Sequence, residues 1–376
     1  MHQSFIEFLN LNHDTIFDDV KALVARQSPS LDKNSVDICG TFIINLVKKR
    51  LNVEGERFAR ENVGDHLLFK VGNGNHKTLI LGHFDTVWDL DRLNTKIEDG
   101  KFYGPGAYDM KAGLVQAIWA TKALQNNGNL EDHQIWLLFT SDEEISSSQS
   151  RELIEETAAQ CQQVLVLEPS EEGTGNLKIG RKGVGVFHVT VHGKASHAGN
   201  NPLAGISAAE EMAHQILRIN ALQDMARQTS VNVGIANAGS RINVIPEFAS
   251  IDIDVRVATM EEAKRIENEI YALKPTRDGI KLSISGGLNR PPMEPNDTNQ
   301  KLFRLAQQCA RKLGFEVGGS CVGGGSDGNF TAALGIPTLD GLGPVGGGAH
   351  ATYEHINIAD LVTRSALVCE IIRQSC

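Results

Sequence analysis

The chain has 376 residues, of which 41% are hydrophobic and 22% charged, and a formal net charge of −10. That composition is ordinary for a globular protein of two domains, or of one large domain with an insertion. The acidic balance, without a basic cluster, argues against nucleic acid and anionic membranes as partners. No window approaches the ~20 apolar residues that a membrane helix needs.

The opening MHQSFIEFLNLNHDTIFDD lacks both a basic leader and a long apolar run, so a cytoplasmic protein is expected. Apolar residues at helical spacing then predict two helices, near TIFDDVKALVARQ and SVDICGTFIINLVKKRL. Short β-rich runs follow at HLLFKVG, KTLILGH, HQIWLLFT and QVLVLEP. Several are nearly continuous apolar runs, as expected of strands buried on both faces. Helical stretches near MKAGLVQAIWATKAL and SRELIEETAAQ alternate with them, which indicates an α/β domain with a mixed, mainly parallel sheet.

From about Lys182 the rhythm changes. GVGVFHVTVHG, a helix near PLAGISAAEEMAHQILRI, strands SVNVGIAN and FASIDIDVRVA, a helix MEEAKRIENEIYAL and a strand IKLSIS give the order β-α-β-β-α-β of a ferredoxin-like unit. NRPPMEPND marks its exit, and the α/β pattern then resumes with NQKLFRLAQQCARKLG, a glycine-rich loop, IPTLDGLG and a last helix from about Ile358. The expected organisation is a discontinuous domain of residues 1–180 and 290–376 carrying an insertion of residues 181–289. The six cysteines (Cys39, Cys161, Cys309, Cys321, Cys369 and Cys376) include no CxxC pair and are read as free thiols.

The polar residues collect where the strands end. KTLILGHFDT carries His83 and Asp85, GPGAYDMKAG carries Asp109, LLFTSDEE carries Asp142, Glu143 and Glu144, VLVLEP ends in Glu168, and GGGAHATYEHI offers His350 and His355. Each has a plainer reading taken alone: a hydrogen-bonded pair for His83 and Asp85, helix caps for Asp109 and the acidic triplet, turn residues for Glu168 and His350. In α/β sheets, however, ligands bind beyond the carboxyl ends of the strands. Carboxylates gathered there repel one another unless a cation holds them, and imidazole mixed with carboxylate suits zinc or a similar divalent ion.

GHFDTV, GPGAYDMKAG, TSDEE, LEPS, GKASHAG and AHATYEH, in this order, resemble the zinc metallopeptidase and deacylase family of carboxypeptidase G, succinyl-diaminopimelate desuccinylase, acetylornithine deacetylase and aminoacylase. The resemblance spans nearly the whole chain, with SRELIEETAAQCQQVLVLEPS and NRPPMEP nearest to the glutamate-releasing carboxypeptidase G branch. It implies two divalent metal ions per chain, zinc or alternatively cobalt, bridged by Asp109. His83 and Glu168 would complete one site, Glu144 and His350 the other. His350 is chosen over His355 by the family pattern of a histidine one turn before a glutamate. Glu143 would be the general base, Asp85 would orient His83, and Asp142 would be structural.

The resemblance also makes the first domain catalytic and the insertion a lid and dimerisation domain. His197 of GKASHAG would assist catalysis, often from a partner subunit, and a homodimer is expected. Arg256 and Asn243 of the insertion, with backbone donors from Gly324, Gly325 and Ser326, would bind a substrate's free α-carboxylate. For Arg256 the competing reading is a surface arginine paired with Asp254 or Glu247. The implied reaction is hydrolysis of a peptide or amide bond next to a C-terminal amino acid, glutamate or aspartate by analogy, with N-acyl amino acid deacylation as the alternative. The chain departs from the family at ISSSQS, which has serines where glycine often follows the paired glutamates, and in its opening, since the carboxypeptidase G type is exported. A dinucleotide site is disfavoured because neither GNGNHK nor GVGVFH leads into the required helix, and no P-loop is present. A non-catalytic metal-binding scaffold would have no need of Glu143.

Overall fold

The computed structural model describes residues 4–375, which divide into two compact units. The larger comprises residues 4–180, 295–322 and 326–375; the smaller comprises 181–294 together with the three glycines 323–325.

The larger unit is built on a six-stranded sheet in the order Glu56–Phe58, His66–Val71, His133–Thr140, His76–His83, Gln163–Val166, Thr338–Leu339. His133–Thr140, His76–His83, Gln163–Val166 and Thr338–Leu339 run parallel, and at the other edge His66–Val71 pairs antiparallel with both of its neighbours, His133–Thr140 and Glu56–Phe58. The last six residues of both His76–His83 and His133–Thr140 are buried, as is all of Gln163–Val166, so both faces are covered and the apolar runs need no alternation. Helices His13–Val24, Lys33–Leu51, Ala112–Asn126 and Asp360–Gln374 contribute apolar faces to one core, and Arg151–Ala158 packs in a second cluster with Trp136 and Phe330. The chain leaves His133–Thr140 on one side of His76–His83 and returns on its other side as Gln163–Val166. That reversal opens a crevice at the carboxyl ends of these strands.

Two features were not foreseen from the sequence. A seven-residue helix, Phe5–Leu11, precedes the first predicted one and is closed by a Ser4–Glu7 capping box. A small antiparallel sheet joins Lys96–Glu98, Lys101–Tyr103, His355–Asn357 and Gly346–Gly347. It ties the segment holding His350 to the one leading into Asp109.

The smaller unit has the predicted β-α-β-β-α-β order. Its antiparallel sheet runs Ser230–Ala238, Phe248–Val257, Gly183–His192, Lys281–Arg290. Burial alternates strictly along Phe248–Val257, the signature of one packed face and one open face. Phe187, Val189, Ile251, Ile253 and Val255 form the packed face together with Ile219, Ile266 and Ile270 of the two helices. Those helices, Ala208–Asn220 and Met260–Tyr271, are capped by Ser207 and Thr259, whose side chains accept the N–H of Glu210 and Glu262.

Candidate metal centre

His83 ends its strand in register with Thr140, and both neighbours along the sheet deliver acidic residues just beyond their last strand position. Asp85 is fully buried and binds four groups. Its Oδ1 accepts the N–H of Glu143 (3.2 Å), its Oδ2 accepts the N–H of Glu144 (3.2 Å) and the Ser30 hydroxyl (2.7 Å), and its backbone carbonyl lies 3.1 Å from His83 Nδ1. Its carboxylate is also 3.4 Å from the same nitrogen. One aspartate therefore sets the imidazole and both glutamates, and leaves His83 Nε2 facing the crevice.

Asp109 lies in an irregular turn, Ala107–Lys111, and is joined to Met110 by a cis peptide bond. Gly106 permits this turn: its φ is +70°, and a Cβ there would stand 2.5 Å from Thr86 Cγ2. The Asp109 carboxylate is presented with one oxygen to each of two imidazoles. His83 Nε2 is 3.1 Å from Oδ1, and His350 Nε2 is 3.4 Å from Oδ2. Each imidazole has a second carboxylate of its own: Glu168 at 3.3 Å from His83, and Glu144 at 3.1 Å from His350. Glu168 is placed by the close approach of Gly343, whose N–H donates to the Glu168 carbonyl and whose Cβ would stand 2.1 Å from Leu167 O. His350 reaches the crevice from left-handed backbone (φ 60°) and is half-exposed.

The electrostatics fit a cation site. Burial opposes charge on His83, yet Asp109, Asp85 and Glu168 outweigh it and hold the imidazole well above its ordinary pKa. Asp109 and Glu144 push His350 up to about 11, against desolvation. Burial, helped by the charge on Asp109, pushes Glu144 up to about 7. Despite its own burial Asp109 is held below the usual carboxylate range by the two histidines. This cluster has more negative charge than it can hold without protons on its nitrogens, and divalent cations suit the same imidazole and carboxylate donors. Ligand atoms of His83, Asp109 and Glu144 lie within 4.8 Å of one another, as do those of His83, Glu143 and Glu168. Glu143 is thus near enough to serve either as a ligand or as a base.

Other residues singled out in the sequence lie elsewhere. Asp142 is buried and accepts the N–H of Gln149, closing the turn after the paired glutamates. His355 is in the small sheet, stacked on Tyr103. Ser326 corrects one expectation: its N–H donates to Asn329 Oδ1 and its hydroxyl to Asp340, so the backbone donor is already spent on the loop. In the smaller unit the carbonyls of Gly324 and Gly325 accept from Arg181. The Arg256 fork lies bidentate on Asp254 (2.9 and 2.9 Å), the competing arrangement of the two considered for it. His197 is exposed, and its Nδ1 accepts the N–H of Gly199 and Asn200, which leaves the proton on Nε2 as an outward donor. Asn243 is its neighbour, with its carbonyl accepting the N–H of Ala198.

Sequence reasoning missed Glu354 as a structural centre, although the His350–Glu354 spacing was in view. It also missed Asp327, which is buried and accepts from Thr140 and Ser147 beneath the glutamate turn.

A mainly parallel sheet with a two-imidazole, three-carboxylate crevice at its strand ends is a candidate metal centre of the kind that metal-dependent hydrolases use. The chain belongs to the peptidase family M20/M25/M40, which it matches over residues 79–374, a family that depends on dinuclear metal centres. It is 30% identical to carboxypeptidase G2 from a Pseudomonas species over 368 residues, 95% of this chain and 88% of that protein. It is 28% identical to the succinyl-diaminopimelate desuccinylase of Thioalkalivibrio sulfidiphilus over 345 residues, covering 86% of this chain and 90% of that one. Among solved structures it shares the fold of an M20 metallo-carboxypeptidase from Sulfolobus solfataricus, with a TM-score of 0.74 and 18% identity over 95% of this chain and 98% of that one. Among the described residues no helix is long and apolar enough to cross a membrane.

Proposed function

We propose that the protein is a two-metal carboxypeptidase that hydrolyses the amide bond before a C-terminal glutamate, with zinc as its metal and cobalt as an alternative. The observation that carries the two-metal part of this reading is the pair of contacts on Asp109, one oxygen to each imidazole, each imidazole having its own second carboxylate; the preference for glutamate rests on the likeness to carboxypeptidase G2. In this reading His83, Asp109 and Glu168 hold one ion, and Asp109, Glu144 and His350 the other. Bound there, the ions supply Lewis acidity that polarises the scissile carbonyl and makes water acidic. Glu143 takes a proton from the attacking water and returns it to the leaving amine. Asp85 fixes Glu143 through its backbone N–H. His197, protonated on Nε2, is a suitable donor for an oxyanion. Arg256, with Asn243, would take a substrate carboxylate in exchange for Asp254, a partly exposed partner that it can release.

The likeness to desuccinylases keeps N-acyl amino acid deacylation as a second reading on the same centre. Metal analysis with matched acyl-glutamate, acyl-alanine and glutamate α-amide substrates decides between them. Two ions per chain, loss of both in Asp109→Ala, and preference for acyl-glutamate are expected. Equal turnover of the α-amide removes the carboxylate clamp, and faster turnover of acyl-alanine moves the protein to the deacylase reading. Two ions retained by Asp109→Ala would refute the bridge.

A further inference from the structure

We infer that Glu354 is a positioning residue that holds Asp109 and His350 in register with each other, so that metal affinity depends on it although it is not among the ligands. Glu354 is 1% exposed, and its carboxylate accepts four hydrogen bonds. Oε1 takes the N–H of Tyr108 (2.9 Å) and of Asp109 (3.0 Å); Oε2 takes the N–H of Gly106 (3.1 Å) and the Trp88 indole N–H (2.6 Å). Three of these donors belong to the turn that presents Asp109. That turn departs from helical geometry at Asp109 (φ −113°, ψ 94°), so its amides need acceptors from outside the turn.

The same residue is anchored in the His350 segment. Its N–H donates to Ala351 O (2.9 Å), closing the short turn after His350, and its carbonyl accepts the N–H of Gly104 (3.3 Å). His350 and Asp109 come from segments 241 positions apart in the sequence (350 − 109), yet must meet within a few ångströms. The Glu354 side chain holds the Asp109 backbone while its main chain holds the turn of His350. All four partners are donors, so the acceptor must offer lone pairs on both atoms. Glutamate does. Glutamine, of equal size, would turn an amino group towards two N–H groups.

This inference rests on the two-metal reading, and one experiment separates them. Zinc binding to the metal-free full-length protein is measured by competition with a chromophoric chelator, beside the visible spectrum of the cobalt-loaded form and the melting curve of the metal-free form. Glu354→Gln is expected to bind zinc roughly 10- to 100-fold more weakly and to show an altered cobalt spectrum, the range seen when partners of metal ligands are removed. Trp88→Phe, which removes only the donor outside the turn, is expected to stay within a few-fold of wild type. Glu354→Asp keeps two acceptor oxygens on a shorter arm and should recover part of the affinity. It also carries the test if Glu354→Gln does not fold. Wild-type affinity and spectrum in Glu354→Gln overturn the inference; where that variant does not fold, wild-type values in Glu354→Asp do so. A wild-type protein that binds no zinc or cobalt overturns the two-metal reading instead.

Discussion

Glu143 and Glu144 are consecutive, and both hang by their N–H groups from Asp85, yet they meet different partners. Glu144 faces His350 at 3.1 Å, while Glu143 shares its surroundings with His83 and Glu168. The proposed reading makes the first a ligand and the second a proton carrier. Glu144→Ala should therefore lose metal. Glu143→Ala should keep both ions and the fold while turnover falls by about 10²–10⁴, the usual worth of a positioned acid–base group. Metal per chain, measured beside the turnover number on both purified variants, checks this. If both lose metal alike, Glu143 is a ligand and the assignment of the base is wrong.

At the scale of elements, the turn after the paired glutamates shows why a departure from the family pattern is tolerated. Ser146 and Ser147 have φ of 81° and 54°, the left-handed region where glycine is unstrained. Ser147 is buried and its hydroxyl donates to Asp327, which also accepts from Thr140. Ser147→Gly would relieve the left-handed backbone but lose this buried hydrogen bond and add freedom to the unfolded chain, so it should destabilise the protein by about 1 kcal/mol. Urea midpoints of the variant and the wild type give the test, and an unchanged or higher midpoint for Ser147→Gly would contradict it. The inner strands and main helices were legible because burial on both faces writes long apolar runs and 3.6-residue periods into the chain. The sheet built from Lys96–Glu98, Lys101–Tyr103, Gly346–Gly347 and His355–Asn357 was not, since strands of two or three residues have no period to read. The order of the ligand motifs was visible; the way Asp109 is aimed was not. That depends on Glu354, 245 positions away (354 − 109), and such pairing leaves no local trace. Arg256 was legible as a charge near a strand end, and spacing alone favoured its pairing with Asp254 or Glu247; that Asp254, two residues earlier on the same strand, is the one that fills its fork is seen only in the fold.

At the scale of the whole molecule, the two units have separate cores, so acid should act on each through its own groups rather than in one step. In the larger unit His66 is fully buried beside Ser141, and Ser141 gives its own proton to Gly64 O, so Nδ1 of His66 must be the donor between them. Burial, helped by the nearby charge of Arg60, pushes this imidazole down to about 4 from 6.5. A base whose folded pKa lies below its unfolded value takes up protons first in the unfolded chain. Stability is therefore lost as pH falls from about 6.5 to about 4, by up to about 3 kcal/mol. In the smaller unit Glu262 is buried among Arg265, Thr229 and Arg227, and the hydrogen bonds from Arg265 lead in lowering it to about 2 against desolvation. A carboxylate lowered in the fold contributes fully above about 4.5 and loses its contribution as pH falls through about 2. Screening of the partly exposed Arg227 limits that contribution to about 1–2 kcal/mol. The two windows barely overlap. All three tryptophans (Trp88, Trp119 and Trp136) are in the larger unit, so their fluorescence reports that unit, while far-ultraviolet circular dichroism reports both. With the metal removed, His66→Gln should gain stability relative to wild type between pH 6.5 and 4, seen as a fluorescence midpoint shifted to lower pH. Glu262→Gln should leave that midpoint in place and destabilise only the part of the dichroism change that fluorescence does not follow, with its deficit vanishing as pH approaches 2. Coincident fluorescence and dichroism transitions that move together in both variants would show that the molecule unfolds as one unit, against this account.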